Sequence, residues 1–145
     1  MFGFGKGKMD IRLDNFNYSP GDTIQGSVSL SLKKALPGKE VSIQLVSEEK
    51  ITEMQGTQYN SRTVTLLDVK QSLSGVKEYP AEPLVYPFKM KIPENLKSPA
   101  SGALGTIFKA AQLFSGSRSK ITWYLIARLD VKGFDITKKR EINVG

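Results

Sequence analysis

The chain has 145 residues, 39% of them hydrophobic, which is enough to bury one core without disulfides or metal ions as supports. It contains neither cysteine nor histidine, which excludes thiolate chemistry and most of the general bases and soft-metal ligands that enzymes use. Its formal charge is +7, and residues 95–145 supply most of that charge, with nine Lys and Arg against three Asp and Glu.

Alternation of apolar and polar residues predicts two strands near the N-terminus. The first covers Met9–Leu13 and is followed by a Pro- and Gly-containing turn over Asn17–Asp22. Gly26 interrupts the apolar row of the second strand, which predicts either a bulge or a close approach of two backbones. That row contains Ile24, Val28, Leu30 and Leu32.

Two more strands are predicted in the middle of the chain. One begins at Val41 and runs into Ser47–Lys50, and the other covers Thr63–Leu73. The buried face of the latter stays undecided, because Leu66 and Leu67 are adjacent and only one of them can follow a strict alternation.

The second half of the sequence predicts three strands and one turn. Leu84–Ile92 alternates regularly, and Pro87 places it at a sheet edge or beside a bulge, since proline cannot donate to a ladder. The longest inward row runs from Ile121 to Val131 and has Trp123 as its expected core anchor. A hairpin turn at Lys132-Gly133 leads to a last strand over Ile136–Val144.

Residues 97–119 interrupt this strand pattern and are predicted to form a flexible insertion with one short amphipathic helix over 104–114. Ser, Gly and Pro flank an apolar stripe at helical spacing, and the stripe comprises Leu104, Ile107, Phe108, Ala111 and Phe114. Such a stripe either caps the sandwich permanently or docks on a partner.

About seven strands, with Pro/Gly turns between them and no long helix, predict an all-β fold: an antiparallel, immunoglobulin-like β-sandwich forming a single domain over residues 1–145. The longest apolar run, Trp123–Ala127, is too short to cross a bilayer, and the N-terminus lacks the apolar region of a signal peptide. We therefore expect a cytoplasmic protein.

The order of four stretches along the chain resembles the N-terminal domain of the arrestin superfamily, which includes arrestins, retromer subunits of the Vps26 type and sporulation-control proteins. Family members usually contain two such sandwiches, and this sequence accounts for one. The resemblance implies an arrestin-like sandwich that acts as a non-enzymatic adaptor or scaffold. The four stretches are Tyr18–Val28, Val41–Glu49, Tyr86–Pro93, and Trp123–Val131 continued by Ile136–Val144.

Carboxylates are the remaining candidates for catalysis or metal binding. Glu48 and Glu49 are adjacent on a strand, so they point to opposite faces and cannot act as paired acid and base; we expect a solvated strand end there. Asp130 and Asp135 flank a turn but fall short of the six to eight oxygens that calcium requires. We therefore expect no enzyme activity, no cofactor and no metal site.

Lys138, Lys139 and Arg140 are contiguous on the last strand and are the main candidates for partner contact. Lys138 and Arg140 share the parity of the apolar residues Ile136 and Ile142, and a core face does not tolerate unpaired cations. Either the two side chains reach the rim of the sandwich, or they line a concave surface that accepts an acidic partner.

The sequence thus favours a protein-binding adaptor or scaffold module of trafficking or signalling type, whose partner is acidic or attached to a membrane. The alternative is a peripheral module for anionic membranes that uses the 104–114 helix and the surrounding Lys and Arg. Nucleic-acid binding is disfavoured, because no recognition helix or aromatic stacking platform is evident. Self-association through a sheet edge or the 104–114 helix is a further expectation.

Overall fold

The computed structural model describes residues 7–94 and 118–145. These residues form nine β-strands and contain no helix. In chain order the strands are β1 (Gly7–Leu13), β2 (Asn17–Tyr18), β3 (Thr23–Leu32), β4 (Leu36–Gln55), β5 (Gln58–Ser74), β6 (Lys77–Tyr79), β7 (Leu84–Lys91), β8 (Arg118–Val131) and β9 (Phe134–Val144).

The strands form two sheets that enclose one hydrophobic core. The three-stranded sheet has the order β1-β3-β7, and the six-stranded sheet has the order β2-β9-β8-β4-β5, with β6 paired beside the first residues of β4. Every pairing is antiparallel except that of β2 with β9. The predicted all-β sandwich is confirmed, with nine strands in the described residues where about seven were predicted.

The core is built from alternate residues of both sheets, as expected for sheets with one buried face. Trp123 is 7% exposed and belongs to this core, in the place predicted for it. Ile121, two residues earlier on β8, is 47% exposed, so the buried row of β8 begins at Trp123. Fully buried members include Ile11, Val28, Leu30, Ile43, Leu125 and Leu129.

The structure explains three positions where glycine or proline predicted a local feature of the backbone. Gly26 faces Leu13 on one side, and a Cβ at Gly26 would overlap the carbonyl oxygen of Arg12, so close backbone approach is the reason for this glycine. β7, which contains Pro87, is an edge strand. Gly133 has φ +95° in the turn between β8 and β9, where the hairpin was predicted.

The hairpin of β4 and β5 is much longer than predicted. β4 continues to Gln55, and β5 begins at Gln58 on the far side of a two-residue turn. Gly56 opens that turn with φ +63°, the conformation that a type II′ hairpin requires at its first central position. The expected solvated strand end at Glu49 is therefore wrong, and Glu49 is only 1% exposed.

The adjacent leucines of β5 lie at a β-bulge. Ser47 pairs with Leu67 and the next residue, Glu48, pairs with Thr65, so Leu66 is an extra residue on β5. The bulge resets the alternation, and for this reason both leucines are half-buried. Leu73 is a second extra residue, between the partners of Val41 and Ser42.

The predicted 104–114 helix lies outside the described residues, so it stays a prediction and nothing in the described fold supports it. β8 begins at Arg118. The last two residues of the predicted 97–119 insertion therefore belong to a regular strand that pairs with β4.

Candidate protein-binding surface

Lys138 and Arg140 occupy inward positions of β9 but do not enter the core. Their partners across the ladder, Ala127 and Leu125, are completely buried. Lys138 itself is exposed and Arg140 is half-buried. Among the described strands, only the two-residue β2 pairs with the outer side of β9, so long cationic side chains can leave the sandwich there.

Arg140 extends toward β1, the edge strand of the other sheet. Its Nη2 atom lies 3.4 Å from Oδ1 of Asp10, and its guanidinium lies 6.0 Å from the centre of the Phe16 ring. Its Nε atom is buried and has no hydrogen-bond partner among the described residues. Arg140 thus connects the free edges of β9 and β1 and retains an unused donor.

A groove of about 730 Å³ lies on this side of the molecule. It is formed by the outer face of the three-stranded sheet together with Lys138 and Arg140 from β9. Lys8 and Arg12 of β1 line it as well, and Asp10 is the one carboxylate among its lining residues. We call this feature the basic groove.

Three serines form the floor of the basic groove. Ser27, Ser29 and Ser31 alternate along β3 and are half-buried. In the β1 register they face Arg12, Asp10 and Lys8, respectively. The groove therefore offers hydroxyl groups beside cationic side chains, and both can donate hydrogen bonds to anionic oxygens.

A neighbouring cavity of about 670 Å³ extends the basic groove along the same sheet. Arg12 and Ser27 line both cavities, and Lys89 of β7 adds a further cation. The Asp14 carboxylate also lines this second, shallower cavity.

Lys139 lies on the opposite face of β9, away from the basic groove. Its Nζ atom is 3.9 Å from the centre of the Tyr124 ring. The Tyr124 hydroxyl donates a hydrogen bond to Oε1 of Glu48 at 2.5 Å. That hydrogen bond, together with burial, raises the pKa of Tyr124 to about 12.

The structure thus divides the predicted basic cluster. Lys138 and Arg140 lie together in the groove, whereas Lys139 is part of a contact with Tyr124. The other predicted site residues, Leu104, Ile107, Phe108 and Phe114, lie outside the described residues, and their role stays a prediction.

Lys8, Arg12 and the three serines were not predicted as site residues. The sequence does show that Lys8, Asp10 and Arg12 alternate with apolar residues, a pattern that places these three side chains on the solvent-facing side of a strand. Sequence alone could not find them, because the groove exists only once β1, β3 and β9 are brought together.

The part of the chain that the structure describes contains neither a candidate metal site nor a candidate membrane-spanning helix. No three Asp or Glu residues lie close enough to hold a metal ion there. Among the same residues no helix is long and apolar enough to span a membrane.

Comparison with known proteins identifies the family. Residues 4–144 match the family model described as arrestin (or S-antigen), C-terminal domain. The chain belongs to this arrestin family. The predicted superfamily is therefore confirmed, although the four stretches were compared with the N-terminal domain and the matching model describes the C-terminal one.

The fold of this arrestin-family chain is also similar to a solved structure. Spo0M, a sporulation control protein from Bacillus subtilis, superposes with a TM-score of 0.66 at 20% sequence identity. The match covers 97% of this chain and 50% of Spo0M, so the chain spans about half the length of that protein. A search of curated proteins gave no match.

The family itself has a general functional character. Arrestin-fold proteins are generally non-enzymatic and of adaptor type, and they generally bind protein partners.

Proposed function

We propose that this chain is a non-enzymatic protein-binding module and that the basic groove holds an acidic segment of its partner. The observation that carries the proposal is the convergence of Lys138 and Arg140 with Lys8 and Arg12 across two sheets. One carboxylate, Asp10, accompanies these four cations in the groove lining. A surface with this excess of positive charge attracts negatively charged groups.

The backbone next to the groove supports the same partner. Within residues 7–94 and 118–145, β3 is the one strand that pairs with β1, and the register over all seven residues of β1 has no bulge. Its outer side can pair with an extended segment, although the Ile11 N–H already donates to Oδ1 of Asp10 at 2.9 Å and the segment would have to displace that hydrogen bond. Lys138 and Arg140, on β9, would then lie beside the side chains of that segment.

The partner's acidic groups are expected to affect the association rate more than the affinity. Lys8, Arg12 and Lys138 are exposed, and exposed ion pairs contribute about 0.2–1 kcal/mol each. Their combined field acts at longer range and steers the encounter, an effect that salt screens.

The proposal can be tested with an oligoglutamate peptide, by measuring its association rate with the full chain over a range of ionic strengths. The double variant Lys138→Gln/Arg140→Gln should slow association several-fold at low salt and flatten its salt dependence. A matched control, Lys132→Gln/Lys139→Gln, removes the same charge from the β8–β9 turn and from the opposite face of β9.

Equal slowing by the two double variants would show that only net charge matters and would remove the groove from the mechanism. Absence of peptide binding by the wild-type chain at low salt would reject the acidic-partner proposal as a whole.

A further inference from the structure

β5 lies at the end of the six-stranded sheet away from β9, and its residue Gln71 lines the cavity that extends the basic groove. In the part of the chain that the structure describes, β5 pairs with β4 alone and has no strand on its other side. Between its two extra residues, Leu66 and Leu73, the ladder is regular from Leu67 to Ser72. This six-residue stretch, the β5 edge segment, is long enough for one more strand to pair with it.

The face of the β5 edge segment that points to the interior side of the sandwich is poorly covered. Val69 pairs with Leu45, which is 1% exposed, yet Val69 itself is 44% exposed. Leu67 continues the same apolar row toward the bulge.

Two copies of the β5 edge segment have complementary side chains when they are paired antiparallel about a two-fold axis. If Val69 lies opposite Val69 of a second copy, Asp68 of each copy lies opposite Lys70 of the other. Apolar and opposite-charge pairs directly across an antiparallel ladder are both favourable. In the monomer Lys70 contacts Glu40 at 2.6 Å, but its side chain is 54% exposed and can reach a second carboxylate.

Self-pairing is less favourable at the edges of β1, β9 and β7, the other long edge strands in the described part of the chain. Self-pairing of β1 about its centre would place Lys8 opposite Arg12, and like charges at opposite positions are destabilising. Self-pairing of β9 about Lys138 would place Asp135 opposite Glu141 as well as two lysines together. β7 contains Pro87, which cannot donate to a new ladder.

We infer that a second copy of this chain pairs with the β5 edge segment, forming a two-fold symmetric dimer centred on Val69. The arrangement joins two six-stranded sheets into one and closes on itself, because the same edge serves both copies. An interface built on one short strand pair is smaller than that of obligate dimers, so the dimer is expected to be reversible.

The absence of cysteine from the chain allows a direct geometric test. Val69→Cys introduces a unique thiol, and the proposed register places the two copies of it directly opposite each other at a separation that suits a disulfide. Mild oxidation should give a covalent dimer in high yield. Val76→Cys is the control, since Val76 is 84% exposed but lies outside the β5 edge segment.

Charge exchange tests the register independently. Asp68→Lys or Lys70→Asp alone replaces two attractive pairs per dimer by two repulsive ones, which should weaken dimerisation at least about tenfold in sedimentation equilibrium. The double variant Asp68→Lys/Lys70→Asp restores the opposite charges and should return the dissociation constant to within a few-fold of wild type. Glu82→Lys, an exposed residue between β6 and β7, controls for the charge change of Asp68→Lys.

Each arm can overturn the inference. A wild-type chain that stays monomeric at all concentrations contradicts it, and so does equal cross-linking of the Val69→Cys and Val76→Cys proteins. A dimer that tolerates both single charge reversals must use another surface. If a single reversal prevents folding, the melting temperature reveals this, and the cross-linking result then decides.

Discussion

Lys139 and Tyr124 form a cation–π contact, with the Nζ atom 3.9 Å from the ring centre, on the face of the larger sheet that points away from the core. The hydroxyl of the same ring donates to Glu48 on β4. The contact therefore links β9, β8 and β4 across one face. It also removes Lys139 from the basic groove, although the residue stands between Lys138 and Arg140 in the sequence.

Lys139→Gln is expected to lower the stability of the fold and to leave association with an acidic peptide nearly unchanged. Loss of an exposed cation–π contact should lower the free energy of unfolding by about 0.5–1 kcal/mol, which chemical denaturation can measure. Association with an oligoglutamate peptide should stay within about twofold of wild type at the same ionic strength. An unchanged stability together with a clearly slower association would show that Lys139 contributes to the groove after all.

The Tyr124 hydroxyl predicts a stability change at alkaline pH. The hydrogen bond to Glu48 and burial favour the protonated form and raise the pKa of Tyr124 from 10.0 to about 12. The folded chain therefore holds this proton more tightly than the unfolded chain does. The resulting stability is complete below about pH 10 and is lost as the pH rises toward 12.

Tyr124→Phe should accordingly lower stability at neutral pH and make the decline between pH 10 and 12 shallower. Denaturant midpoints at a series of pH values check this, and Tyr59→Phe, which alters a 65% exposed ring, is the control. An equally steep decline in the Tyr124→Phe protein would show that other groups cause it.

Most strands could be predicted from the sequence because a strand that is buried on one face alternates apolar and polar residues. The exceptions have local causes. Leu66 is an extra residue at a bulge, so the alternation could not show which face of β5 is buried. Residues Gln58–Arg62 show no apolar alternation, although they form the first five residues of β5.

The candidate site was harder to predict because its residues come from three strands. Parity and the cost of burying unpaired cations predicted that Lys138 and Arg140 leave the core. The sequence analysis grouped Lys139 with them, and only the structure separates it from the groove. What brought Lys8 and Arg12 to the same groove is the contact between the edges of two different sheets. That relationship depends on sheet order, which no single strand encodes.

Trp123→Ala should be strongly destabilising. Trp123 is 7% exposed within the core, and truncation of a buried aromatic side chain costs about 3–5 kcal/mol. The free energy of unfolding from denaturant titration measures the loss, with Val76→Ala as a control at an 84% exposed position. A loss below about 1 kcal/mol would be incompatible with the register that pairs Trp123 with Ser47 and Ile142.

Gly26→Ala is expected to lower the free energy of unfolding and to change the shape of the basic groove. A Cβ at Gly26 would overlap the carbonyl oxygen of Arg12, a backbone atom that can move only if β1 separates from β3. Crowding of this kind costs about 1–3 kcal/mol, more than the roughly 0.4–1 kcal/mol that alanine gains by restricting the unfolded chain. The shift of β1 would carry Lys8 and Arg12 away from the serines of β3, so association with an oligoglutamate peptide should slow as well.

Gly75→Ala is the matched control for that substitution. Gly75 does not have a positive φ, and a Cβ there meets nothing within 4 Å, so its replacement should leave stability unchanged or raise it by up to about 1 kcal/mol. Unfolding curves and association rates of the two variants, measured in parallel, test both effects. If Gly26→Ala unfolds at the wild-type denaturant midpoint, β1 can move away from Gly26 without loss of stability. The close pairing of β1 with β3 would then not determine the shape of the basic groove.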